Sequence, residues 1–161
     1  MKAEHALDIA RELQLVANTS TDVMFHGLSM DPLLFEGDIV VVEPVQYGEI
    51  KIGDIITYRY LDRFPTRRVV AIQPDRLVLW CDAWPDQIFA TVPDDVLGRA
   101  TTRIRNGHHL RATDREWIVR CDRALRSYRR TRPRREIRRI VGGIRRRVGL
   151  GAPQKSDHEQ R

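Results

Sequence analysis

Between about residue 21 and residue 112, apolar residues come in short runs separated by turn-forming pairs. This punctuation constrains the fold more than any other feature. Asp22–Phe25, Asp38–Glu43, Asp54–Tyr60, Arg67–Ile72, Arg76–Trp80, Ile88–Val92 and Gly98–Arg105 are dominated by Val, Ile, Thr, Tyr and Phe, residue types that suit a pleated, half-buried surface. Gly37-Asp38, Gly53-Asp54, Pro74-Asp75 and Asn106-Gly107 stand at the breaks, where Gly, Pro, Asn and Asp let a chain reverse. The pattern predicts strands joined by tight turns, a mainly β domain. A second Gly-Asp-Ile follows the first after 16 residues, which reads as a repeated strand-entry device, too short for a solenoid repeat.

Helical spacing flanks this region. Ala6, Ile9, Ala10, Leu13 and Val16 lie on one face of a short N-terminal amphipathic helix within residues 1–20. After Thr113 the period becomes helical again, with Trp117, Cys121, Ala124, Leu125 and Tyr128 on one face. Pro133 suits a first helical turn, and Ile137, Ile140, Val141, Ile144 and Val148 continue the stripe past Gly142-Gly143. The chain therefore divides into a helix (1–20), a β domain (21–112), a helical arm (113–148) and a frayed tail (149–161). At 161 residues it holds one ordinary domain with additions.

Charge is unevenly placed. The net charge is +6, yet residues 1–119 hold 13 Lys and Arg against 18 Asp and Glu. Residues 120–148 hold 13 arginines against only Asp122 and Glu136. An Arg-rich amphipathic helix can lie on an anionic membrane surface, dock on an acidic protein partner, contact nucleic acid phosphates, or pack on its own domain. The continuous apolar face and the lack of a nucleic-acid-reading motif favour lipid or protein over nucleic acid. No run approaches the length of a membrane span and no apolar signal segment opens the chain, so the expected location is cytoplasmic, or peripheral on the inner face of the membrane. Cys81 and Cys121 lack metal-ligand spacing; they read as structural thiols, and no metal or cofactor is expected.

The segment Gly27-Leu28-Ser29-Met30-Asp31-Pro32 carries the chemistry. Gly27 before the serine and Pro32 after it place a hydroxyl on a constrained turn, where a nucleophile gains exposure and nearby backbone donors. Further boxes follow in order: Glu36-Gly37-Asp38-Ile39, Ile52-Gly53-Asp54-Ile55, Arg67-Arg68-Val69-Val70, Cys81-Asp82-Ala83-Trp84 and Val96-Leu97-Gly98-Arg99. The ordered series, over residues 21–105, resembles the type I signal peptidases and the related peptidase domain of SOS-response repressors. The resemblance implies a coiled antiparallel β-sheet fold and a serine endopeptidase acting on a peptide or small protein substrate. Anchorless relatives of this kind are associated with processing of ribosomally made peptides. It also implies Ser29 as nucleophile, Gly27, Met30 and Pro32 beside it at the substrate, and Asp82 near the site. Cys81 and Trp84 depart from the family's Gly and Asn in that box.

The larger departure is Arg67, where the family carries Lys or His. A general base must lose its proton near working pH, and a guanidinium in a protein effectively never does. His26, three residues before Ser29, and His108 and His109 are the alternative bases; Lys51 stands where the family places no catalytic group. Arg67→His, oriented by Asp82, would complete a Ser–His–Asp arrangement and is expected to outperform Arg67→Lys. The rival to an enzyme is a non-catalytic peptide-binding module using the same groove.

Overall fold

The computed structural model describes residues 19–61 and 63–131. The helix expected within 1–20, apart from its last two residues, the arm beyond residue 131 and the tail lie outside the described residues. Eight strands form one sheet: β1 (Thr21–Met24), β2 (Ile39–Glu43), β3 (Ile55–Tyr58), β4 (Thr66–Gln73), β5 (Arg76–Trp80), β6 (Ile88–Thr91), β7 (Val96–Arg105) and β8 (His108–Arg111). The helix α1 (Arg115–Thr131) follows. The order is β1-β2-β7-β3-β4-β5-β6, with β8 added to β7, and neighbours run antiparallel. The protein is mainly β, as the short-run pattern predicts.

β7 is the hub. Its first half pairs with β3, its middle with β2, and its last four residues with β8. Register shifts at Val41/Val42, Thr57/Tyr58 and Val69/Ala71 bend and twist the strands locally, so the sheet coils. Gly98 is required at the crossing of β7 with β2: a Cβ there would sit 2.5 Å from the Glu43 carbonyl oxygen and 2.7 Å from Val42 Cγ1. β8 is a strand that the composition of His108-His109 does not announce. It forms because Asn106 and Gly107, at φ 49° and 77°, close the tight turn that Asn-Gly favours.

β5 is buried on both faces. Leu77 and Leu79 pack with Ile50, Ile56, Tyr58 and Val69, while Val78 and Trp80 pack with Val70 and Tyr128. A further cluster joins Met30, Leu33, Leu34, Val40, Ile55 and Trp117 among others. α1 thus contributes to two clusters, and its Tyr128 ring meets Trp80 edge-on at 5.3 Å between centroids. Each such buried side chain stabilises by about 1.5–3 kcal/mol, so over 115–131 the arm packs its apolar face on the sheet. Arg123, Arg126, Arg129 and Arg130 face outward. Among the described residues no helix is long and apolar enough to cross a membrane.

Candidate active site

Ser29 sits in an excursion between β1 and β2. Phe25 N–H donates to the Asp38 carbonyl at 2.8 Å and Gly37 N–H to the Phe25 carbonyl at 2.9 Å, closing its base. Leu33 and Leu34 both donate to the Met30 carbonyl, winding the middle into a turn. Met30, Leu33 and Leu34 are buried and anchor it in the core. Three arginines hold the loop: the buried Arg103 Nη1 donates to the Leu33 carbonyl at 3.1 Å, Arg120 Nη1 to the Pro32 carbonyl at 2.9 Å, and Arg105 to both Asp38 carboxylate oxygens. Burial works to raise the Asp38 pKa, but Arg105, the Phe35 N–H and the charge of Arg103 outweigh it and leave the carboxyl below its usual value. A loop pinned at this many points holds Ser29 in one place.

β4 carries two adjacent arginines directly after its first residue, Thr66, and a strand sends successive side chains to opposite faces. Arg67 points with Val69. Its Nη1 donates to Ser29 Oγ at 2.7 Å and to the Thr66 carbonyl at 2.8 Å, and its guanidinium lies 5.2 Å from the centre of the Phe89 ring. Its Nε is buried with no hydrogen-bond partner. Tyr58 and Cys81 complete this dry face: burial pushes the Tyr58 phenol up to about 12 and the Cys81 thiol above its usual value. Arg68, fully buried, points the other way, towards α1. Its Nε and Nη2 grip the two Asp82 oxygens at 2.8 and 2.5 Å, and its Nη1 reaches the Gly53 carbonyl at 3.0 Å. Burial opposes the charge on Arg68, and Asp82 more than offsets this, so its pKa is raised. Burial also raises the Cys121 thiol beside it, against the pull of Arg68. Neither thiol is poised as a nucleophile.

The Asp82 box lies against the serine turn, because Ala83 N–H donates to the Ser29 carbonyl at 3.2 Å. Segments 27–32, 66–68 and 81–84, far apart in sequence, therefore converge. Ser29 and Arg67 meet directly. Asp82 does not join them: both its oxygens are held by Arg68 on the opposite face of β4, so it cannot orient a base at position 67. Met30, expected beside the substrate, is fully buried in the core, which leaves its side chain no route to a ligand. Gly27 and Pro32 are exposed on the loop surface, Gly27 at φ 91°.

The alternative bases are elsewhere. His26 is exposed, with Nδ1 2.9 Å from Glu36 Oε1; the Glu36 pKa is lowered by the Gly27 N–H and then by His26. His108 and His109 lie exposed on β8, and Lys51 is exposed at the turn before β3. Among the described residues Arg67 alone hydrogen-bonds Ser29 Oγ. Sequence reasoning missed Arg68, Phe89 and Arg120. The Arg-Arg pair at a strand start was the available signal, since alternation forces one of the two inward. No family model matches the chain, and no curated protein matches it.

Proposed function

We propose that this chain is a domain of the signal-peptidase type that binds an extended peptide or small protein precursor at the Ser29 turn without hydrolysing it. The observation that carries this reading is the 2.7 Å hydrogen bond from Arg67 Nη1 to Ser29 Oγ, with no group of the described residues in place to accept the serine proton. A serine hydroxyl is a weak nucleophile until an adjacent base activates it, and guanidinium nitrogens only donate. The three converging segments support the family resemblance; the arginine removes the step that family uses them for.

Peptide capture has a route. Among the described residues β1 lies at one end of the sheet, and an extended peptide can add as a strand to a sheet edge. Met24 and Leu28, in the stretch leading to Ser29, are exposed and offer apolar contact to such a strand. The outward arginines of α1 support a cytoplasmic location peripheral to an anionic membrane surface or an acidic partner. Trp117 and Tyr128 of α1 are buried against the sheet while Ile118 and Val119 are exposed, so this contact would be mainly electrostatic with a small apolar part.

A slow serine endopeptidase is the second reading. It is favoured by the same hydrogen bond, because a charged donor at Oγ would stabilise an alkoxide. Incubating wild type and Ser29→Ala with a fluorescein-labelled peptide library separates the two. The binding reading expects retention of peptides by both proteins and no fragments. Fragments made by wild type and not by Ser29→Ala would establish the enzyme.

A further inference from the structure

Six arginines among the described residues are paired with acids. Arg59, Arg68, Arg76, Arg99, Arg105 and Arg120 each lie within 4 Å of a carboxylate. Arg67 is different. It is half-buried, no carboxylate of the described residues pairs with it, and its charge rests on a neutral hydroxyl, a carbonyl and the Phe89 ring. A partly desolvated guanidinium left in this state is held at a cost that an incoming anion would relieve.

Ser29 extends the same logic. A hydroxyl has one proton to donate and two lone pairs. Ser29 is only 4% exposed, but its Oγ accepts from the half-buried Arg67, so an acceptor that reaches Arg67 can also take the hydroxyl proton. A guanidinium and a hydroxyl donor at one point make a site for a carboxylate, whose charge-assisted hydrogen bonds are about twice as strong as those of a neutral amide.

The flanks are apolar. Leu28 is 57% exposed and Trp84 41% exposed. They are the chain neighbours of the two residues in the Ser29–Ala83 backbone hydrogen bond, so the two segments that bear them meet at the site. A bare phosphate or acetate would leave both uncovered.

We infer that the Ser29–Arg67 site takes the free carboxyl terminus of a peptide whose last residue is apolar, the carboxylate on Arg67 and Ser29 and the side chain against Leu28 and Trp84. This rests on the peptide-binding reading and specifies its ligand. Such an end is what cleavage after an apolar residue leaves, so the class of reaction supplying the ligand is peptide hydrolysis carried out elsewhere.

The test is fluorescence anisotropy with fluorescein-Gly-Ser-Gly-Ala-Leu as free acid and as carboxamide, on the full chain. The acid should bind about tenfold or more tightly than the amide, and the gap should shrink with salt. Arg67→Gln should bring the acid down to the amide's affinity; Arg67→Lys, assayed at about pH 6 where the lysine is charged without the fork, should retain part of the gap. Trp84→Ala should weaken acid and amide alike. Equal binding of acid and amide by wild type overturns the carboxylate inference and leaves peptide binding standing. An acid preference that survives Arg67→Gln, with Arg67→Lys unchanged too, removes Arg67 from the role. Failure of wild type to bind either peptide, or the same peptide library, overturns both readings.

Discussion

Arg67→Lys tests the missing base, and the structure sets its size. The Arg67 backbone is fixed by pairing with Ile56 across β3 and β4, and its Nη1 reaches Ser29 Oγ at 2.7 Å. A lysine is one bond shorter to its terminal nitrogen, so Nζ would fall roughly 1 Å short, a gap that a slight shift closes. A histidine is two bonds shorter, and Asp82, which was to orient it, is bound to Arg68. The order expected from sequence is therefore reversed: lysine should outperform histidine. Tyr58, Cys81 and Phe89 make the site dry and no carboxylate faces it, conditions that lower a lysine pKa. General-base assistance is typically worth 10²–10⁴-fold, and the imperfect reach places this variant near about 10²-fold. The assay is the rate of Ser29 acylation by a fluorophosphonate, followed by intact mass from about pH 6 to about pH 10, the range below an ordinary lysine pKa. Only neutral lysine accepts a proton, so the rate should rise with pH through the lowered pKa. A folded Arg67→Lys protein that labels no faster than wild type over that range, or more slowly than Arg67→His, would refute the reasoning.

Other expectations concern the scaffold. Arg68→Ala leaves Asp82 as an unpaired buried charge and should cost about 3–5 kcal/mol in denaturant unfolding. Trp117→Ala should cost about 3–5 kcal/mol, and truncation after residue 114, which also removes Tyr128 and the Arg120 bond to Pro32, should abolish cooperative melting. Asp38 has a folded pKa below its usual 3.8; its contribution is present above that value and lost as pH falls through the folded one, so Asp38→Asn should flatten the stability profile on the acid side. The outward arginines of α1 predict salt-sensitive co-sedimentation with anionic and not neutral liposomes; equal binding to both would discard a membrane role for 115–131.

Much of the fold was legible because its signal is local. Apolar runs such as Ile39–Val42 and Leu77–Trp80, bounded by Gly-Asp and Pro-Asp turns, specify strands wherever they sit in the chain. β8 was hidden because its pairing comes from the Asn106-Gly107 turn and the length of β7, with little support from His108 and His109 themselves. At the site, the order of motifs brought out Ser29 and Arg67, whose meeting depends on strand register. The partner of Asp82 was not legible in the same way. Position 67 and position 68 differ by one step of a strand, and that step decides which arginine meets the serine and which takes the carboxylate. Met30 was misplaced for a similar reason: a residue beside a nucleophile in sequence can point into the core, and a methionine buries readily.

The central claim is that Ser29 is held by a donor and served by no base. Intact-mass spectrometry of the wild-type protein after prolonged exposure to a fluorophosphonate tests it most directly, with Ser29→Ala alongside. The account predicts an unmodified wild-type mass that matches the Ala variant in showing no adduct. A stoichiometric adduct on wild type that is absent from Ser29→Ala would contradict it, since it would mean that the serine is activated where it stands.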